Sequence, residues 1–422
     1  MPHLSLMHGI IPAMVQIVTV AALLYALGWR KRLVAVGVAA GVVTVAVAHW
    51  TYDTLGIASE PAPWQLWLWV FLFGLAATTV VAGWRGAGGW RRNASVFATS
   101  FCLLCVGLTI NGWLGYFPTV DAAWSQLTNR PLHNQVDIKA AYAMQRKSVA
   151  VQGGKLVAVT TGSRMSGFSH RREWVYLPPA WFSGKPLPAI LMIGGEFGTP
   201  ADWIRVGNAT HALDAYAAAH RGEAPIAVFA DATGGFAVDT ECVDGPRGNA
   251  AQHLVAEVIP EIGDMFGLGG QPKWGVVGFS SGGTCAVDLA VMHPEIFRAF
   301  VDIGGDIGPN AGTQEQTIDR LFGGDAEAYR RFDPRTAIRR HGPYTGMSGL
   351  FAVPGTSGDQ DGVGQDAAEA LCEAARDSRI SCELTALPGK HDWPSAAGAF
   401  AVTLPWLGER LGMTGDASSV AE

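Results

Sequence analysis

From Trp274 to Ala290 the chain reads Trp-Gly-Val-Val, then Gly278-Phe279-Ser280-Ser281-Gly282-Gly283, then Thr-Cys-Ala-Val-Asp-Leu-Ala. This is an apolar strand-like run, a G-x-S-x-G turn and a helix-like run in immediate succession. The chemistry served by such a turn is attack by a serine hydroxyl, aimed into a cleft at a helix N-terminus. Residues flanking the serine must be tiny for the backbones to approach, and Gly278 and Gly282 meet that need. Ser281 is the competing serine, but only Ser280 has glycines at both offsets.

A serine hydroxyl is a poor nucleophile until a base takes its proton, and an acid must orient that base. In this arrangement the acid and the histidine follow the serine along the chain. His391 lies between the last strand and the last helix, in Pro388-Gly389-Lys390-His391-Asp392-Trp393, where the base belongs. His293 instead ends the helix after the turn, and His341 lies in a long insertion, 309–344. The acid belongs after the preceding strand, in the loop 354–362, where Asp359 is the choice. Asp361 is its nearest rival and Asp306, after a strand ending at Ile303, is another. The loop fits no calcium-loop spacing. An oxyanion formed during attack needs two backbone donors. They would be the Ser281 amide and the amide of Glu196 or Phe197, in the glycine-rich stretch Gly194–Gly198.

Short apolar runs bounded by Gly and Pro predict strands at 155–161, 173–177, 189–193, 226–230, 274–277, 299–303, 349–353 and 381–387. Helical stretches are expected between them at 201–220, 250–266, 283–293, 366–377 and 395–411. That alternation implies a largely parallel sheet with helices on both faces, an α/β-hydrolase architecture once the serine turn is included. The insertion 309–344 is expected to form a partly helical cap.

Upstream the chemistry is different. Four apolar runs, 10–29, 33–50, 64–84 and 94–113, each approach the ~20 residues a helix needs to cross a bilayer. They predict an all-α domain of four transmembrane helices over 1–116, then a juxtamembrane linker at 117–149. The hydrolase domain follows at 150–414 and a disordered tail at 415–422. Residues 30–32 and Arg85, Arg91 and Arg92 make two basic loops, whereas the loop with Asp53 and Glu60 has no Lys or Arg. Positive-inside bias therefore puts the basic loops in the cytoplasm, with the N-terminus and the hydrolase domain outside the cytoplasmic membrane. The helix interiors carry no acid or base, which argues for anchoring and against transport.

After residue 120 there remain 24 of the 30 Lys and Arg and 34 of the 36 Asp and Glu, a formal charge of −10. Nucleic-acid binding is not expected of that surface. No Cys-His cluster has zinc spacing, so neither metal nor cofactor is expected. Outside the membrane, Cys372 could pair with Cys382, and Cys285 with Cys242.

With these pieces placed, residues 150–412 resemble the esterase D and antigen 85 mycolyltransferase family. The resemblance is carried by the serine turn, Gly355-Thr356-Ser357-Gly358-Asp359 and Lys390-His391-Asp392-Trp393. Two further stretches add to it, Arg172-Glu173-Trp174-Val175-Tyr176-Leu177-Pro178-Pro179 and Met292-His293-Pro294-Glu295-Ile296-Phe297. It implies Ser280 as nucleophile, His391 as base, Asp359 as carboxylate, and Ser281 with Glu196 at the oxyanion site. Where the mycolyltransferases have Asp-Gly-Leu-Arg, this chain has Gly194-Gly195-Glu196-Phe197. The expected function is a membrane-anchored serine esterase or acyltransferase acting through an acyl-enzyme on an envelope lipid or lipid-linked ester. Two alternatives are a hydrolase of aminoacylated membrane lipids and, from another class, a non-catalytic envelope interaction protein on a hydrolase scaffold.

Overall fold

The computed structural model describes residues 5–7, 9–28, 30–55, 62–128, 130–235, 238–268, 274–355 and 363–413. The tail expected at 415–422 lies outside them. The chain forms two compact units, 1–130 and 131–422.

In the first unit four helices are long and apolar enough to cross a membrane: α1 (Ile10–Leu27), α2 (Lys31–Leu55), α3 (Trp64–Val81) and α4 (Gly89–Leu114). Lipid offers helices no hydrophobic drive to associate, so close packing must come from small residues. Such packing joins α2 and α3. A Cβ on Gly41 would lie 2.7 Å from the Phe71 ring, one on Gly37 2.9 Å from Thr78 Oγ1, and one on Gly74 2.4 Å from Thr44 Oγ1. α2 and α4 run further than the apolar runs predicted, because a helix keeps its amides bonded within itself beyond the apolar stretch and its polar residues find local partners. Arg91 sits over the Tyr25 ring and Arg92 Nε donates to Trp84 O, while His49 meets Asp53 at 2.9 Å.

The two basic loops share one end of this unit: Arg30 Nη1 donates to Gly83 O at 3.2 Å. At residues 5–6 the chain pairs instead with 118–119, Leu6 N–H donating to Pro118 O.

The second unit is built on a nine-stranded sheet. Its strands are β1 (Gln135–Val136), β2 (Lys155–Val159), β3 (Glu173–Leu177), β4 (Ala189–Ile193), β5 (Ile226–Ala230), β6 (Trp274–Phe279), β7 (Phe297–Ile303), β8 (Ser348–Pro354) and β9 (Ser381–Leu387). They lie in the order β1-β2-β3-β5-β4-β6-β7-β8-β9, with β3 antiparallel to both its neighbours and the remaining pairs parallel. Successive strand residues face opposite sides, so the complete burial of β4, β5 and β6 means both faces are covered. The edge strand β9 is largely solvated. The α/β-hydrolase class expected from the sequence is the observed one.

Two local readings differ, and the insertion is partly helical as expected. The helix expected over 201–220 is two, Asp202–Arg205 and Ala209–Ala219. The break falls where Gly207 packs against Trp203 and Asn208 takes φ 50°. The stretch expected as a plain linker contains helices Val120–Leu127 and Ile138–Arg146, and β1 between them is an edge of the sheet. The insertion is fully organised, with helices Gln314–Phe322, Ala326–Phe332 and Pro334–His341.

Disulfides join Cys242 to Cys285 and Cys372 to Cys382, while Cys102 and Cys105 are free and buried in α4. Alkylation of the denatured protein should therefore add two adducts without reductant and six with it, as read by intact mass. Four or more adducts before reduction would remove at least one bridge.

Candidate active site

β6 ends at Phe279 against β7, with Phe279 opposite Ile303, and the helix Ser281–Met292 starts two residues later. Joining them places Ser280 at φ 58°, ψ −128°, a conformation costing a non-glycine residue about 1–3 kcal/mol. The Ser280 amide donates to Ile303 O at 3.0 Å, and its carbonyl accepts from Gly283 and Thr284 at 2.7 and 3.2 Å. The Ser281 and Gly282 amides stand at the open first turn, where a helix has no acceptor of its own for them. The glycines are sterically required. A Cβ on Gly278 would lie 1.6 Å from Gly282 O, and one on Gly282 2.5 Å from the carbonyls of Ile193 and Gly194.

The loop after β4 closes over the serine. A Cβ on Gly195 would come within 2.9 Å of Ser280 Cβ. Gly198 N–H donates to Gly195 O at 3.0 Å, and Phe197 at φ 60° completes this tight turn, with Glu196 and Phe197 half-buried at its tip. The far end of the turn is tethered by Arg171, whose Nη2 donates to Gly198 O at 2.8 Å, Asp231 Oδ1 at 2.6 Å and Thr233 Oγ1 at 2.6 Å. Burial alone would raise the Asp231 carboxyl, but bonds from Arg171 and the Gly234 amide hold it below the usual carboxylate range. Sequence reading missed this tether, since only the fold brings Arg171 to Asp231 at the end of β5.

His391 leaves the end of β9 on a short, pinned turn. Asp392 N–H donates to Lys390 O, the Asp392 carboxylate accepts from Ser395 N and Oγ, and Lys390 N–H donates to Ser395 Oγ. The imidazole lies 5.0 Å, between ring centroids, from Phe279, the residue before Ser280. Phe279 also meets the buried Trp393, which packs edge-on against Trp203. The fold thus brings the Gly194–Gly198 turn against Ser280 and sets the His391 ring beside Phe279, the residue before that serine. Asp359 and its rival Asp361 lie outside the described residues. Their loop starts at the end of β8, where Gly355 N–H donates to Leu387 O of β9, the strand that leads to His391. Asp306 is engaged elsewhere, donating its amide to Thr284 Oγ1 and accepting from Asn310 Nδ2. His293 pairs with Glu295 at the distal end of the serine helix, and His341 closes an insertion helix.

Acids crowd the base of the turn. Burial, with the carboxylates of Asp239, Asp306 and Glu196 nearby, pushes Glu241 well above the usual carboxylate range. Burial, only partly offset by the Gly305 amide, raises Asp302 to about 7.

Residues 169–405 match the model of the family described as "Putative esterase". The chain belongs to that esterase family. An uncharacterized protein of Corynebacterium glutamicum is 32% identical over 266 residues, which span 61% of each chain. Among solved structures, the S-formylglutathione hydrolase of Agrobacterium tumefaciens superposes with a TM-score of 0.51 at 18% identity, covering 62% of this chain and 97% of that one. That likeness is one of fold. MPT51 of Mycobacterium tuberculosis aligns at a TM-score of 0.40 and 18% identity, over 61% of this chain and 99% of its own.

A carboxyl raised on folding favours the folded state at pH below its unfolded value and loses that contribution as pH rises through the folded value. Asp302 therefore costs stability progressively between about pH 4 and pH 7. Asp302→Asn should raise the melting temperature of the esterase unit at pH 8 by at least about 2–4 °C, and by much less at pH 4.5. Equal shifts at both pH values would show that Asp302 does not titrate in this range.

Proposed function

We propose that Ser280 is the nucleophile of a Ser-His-Asp triad, with His391 as base and Asp359 as the acid that orients it. The observation that carries this is Ser280 held at a strained strand-to-helix turn with the His391 ring packed against the residue before it. His391 takes the hydroxyl proton as Oγ attacks the ester carbonyl carbon. The carbonyl oxygen becomes anionic and is held by the Ser281 amide and that of Glu196 or Phe197, beside the positive end of the serine helix. The alcohol leaves with the proton from His391, and Ser280 keeps the acyl group. Water or a second alcohol then attacks that acyl-enzyme by the reverse steps, giving hydrolysis or transfer.

The four apolar helices over 1–116 serve as a multi-pass anchor in this reading. Positive-inside bias puts the end shared by Arg30 and Gly83 in the cytoplasm. The opposite end, where residue 6 meets residue 118, then faces outward with the esterase unit. An ester carried on a membrane lipid or a lipid-linked acyl group is the substrate class that suits an enzyme tethered there.

The test is fluorophosphonate labelling and p-nitrophenyl ester turnover by the full chain in detergent. Ser280→Ala should abolish labelling, and His391→Ala should lower kcat/KM by about 10⁴-fold. Asp359→Asn should cost about the same, with Asp361→Asn close to wild type. A folded wild type that neither labels nor turns over ester would overturn the triad. Turnover that rises with added sugar or lipid alcohol would assign transfer over hydrolysis.

A further inference from the structure

A second polar cluster lies in the esterase unit apart from the serine. His170, Glu173, His253 and Glu257 have side chains 6%, 0%, 0% and 2% exposed. They join the start of β3 to the helical run Ala250–Phe266, which is interrupted by a π-helical turn at Leu254–Val258 directly after His253. Such turns are poorer in hydrogen-bond geometry than α-helix and recur at functional sites.

The bonding of the cluster leaves lone pairs facing one another. Glu257 is saturated by donors, the amide of Met165 at 2.8 Å and Ser166 Oγ at 2.6 Å among them, and its Oε2 lies 2.8 Å from His253 Nδ1. That contact puts a proton on Nδ1, so Nε2 faces Glu173 either as a bare acceptor or carrying a second proton. His253 Nε2 points at Glu173 Oε1, 3.5 Å away, and both are buried polar atoms with no hydrogen bond. On the other side His170 Nδ1 lies 2.8 Å from Glu173 Oε1 and 2.9 Å from Arg171 O, and one N–H cannot serve both oxygens well. With Nε2 bare, the two acceptors facing each other in a dry interior repel unless a metal cation lies between them.

We propose that this cluster is a zinc site, with His170 Nδ1, Glu173 Oε1 and His253 Nε2 as ligands and Glu257 as the carboxylate that orients His253. Two imidazoles and a carboxylate form a donor set typical of zinc, and Arg171 O lies 2.9 Å from His170 Nδ1. Zinc bonds of ~2.1 Å put tetrahedral ligand atoms roughly 3.4 Å apart, and the observed 2.8–3.5 Å brackets that edge. The candidate ligand atoms lie within 4.8 Å of one another. The sequence hides the site because its halves, 170–173 and 253–257, share no short spacing. An ion here would also fix the backbone of Arg171, the residue that tethers Gly198 beside Ser280. The proposal does not depend on the triad.

The experiment uses the full chain in detergent, incubated with zinc, desalted and assayed by elemental mass spectrometry. About one zinc per chain is expected, and cobalt in its place should give the visible absorption of a four-coordinate ion. Chelation should lower the melting temperature. Glu257→Gln, which removes no ligand, should weaken zinc binding by about 10–100-fold. A wild type that retains no more zinc than Glu173→Gln, and whose melting temperature zinc does not move, would overturn the site and leave His253 holding a second proton between two glutamates. If His253→Ala fails to fold, the wild-type metal content and the Glu257→Gln affinity still decide.

Discussion

The esterase unit depends on one close approach of backbone to backbone. Where β6 turns into the serine helix, Gly278 touches Gly282, and Gly282 in turn rests against the carbonyls that end β4. No side chain fits at either contact, so the turn holds only if three strand ends and a helix start are fixed together. The strain at Ser280 persists because its surroundings over-determine it. Its amide is bound to β7 and its carbonyl caps the helix. The Cys242–Cys285 disulfide ties the same helix to the segment before it. Burial of β4, β5 and β6 supplies the rigidity for this, and the exposed β9 contributes mainly its C-terminal connection, which carries His391.

What could be read from sequence follows from how local each signal is. Eight of the strands announce themselves as apolar or alternating runs of five to seven residues between glycines and prolines, because a strand covered on both faces needs apolar groups throughout and a half-solvated one such as β9 alternates. The serine turn is legible because its glycines sit at fixed offsets from Ser280, and Gly278 is demanded by a contact only four residues away; that Gly282 also answers to the carbonyls ending β4 emerges only from the fold. β1 is not, being two residues in a polar stretch and held only by pairing with β2. The break at Gly207-Asn208 carried a signal that helical periodicity on either side outweighed. Arg171 and Asp231 are 60 residues apart, and neither position is unusual until the fold joins them. The histidine-glutamate cluster was missed likewise, since metal spacing is recognisable only where ligands share an element or a hairpin.

The first unit, whose four helices are long and apolar enough to cross a membrane, shows the same rule. In the esterase unit glycines serve a turn, whereas along α2 and α3 they let two helices approach, the kind of packing that lipid demands because it gives apolar side chains no reason to cluster. Gly37 and Gly41 lie four residues apart on one face of α2, and Gly74 answers from α3. Hydropathy located these helices, but which faces meet depended on glycine placement.

Charge around the serine helix poses a problem that the proposed mechanism must solve. Glu196, Glu241, Asp302 and Asp306 gather near its first turn, and the nearby arginines are committed, Arg171 to Asp231 and Arg247 to Asp239. A negative field there would oppose an oxyanion. Burial reduces the conflict, because carboxyls raised as Glu241 and Asp302 are carry protons more readily and present less charge than their number suggests. The remaining stabilisation has to come from fixed dipoles: the open amides of the serine helix and the amide of the Gly194–Gly198 turn. Those dipoles need no reorganisation as charge develops, but they work only if the turn keeps its register on Ser280. That requirement gives Arg171 its place, since a cation spent on Gly198 and Asp231 holds the donors still instead of facing the substrate.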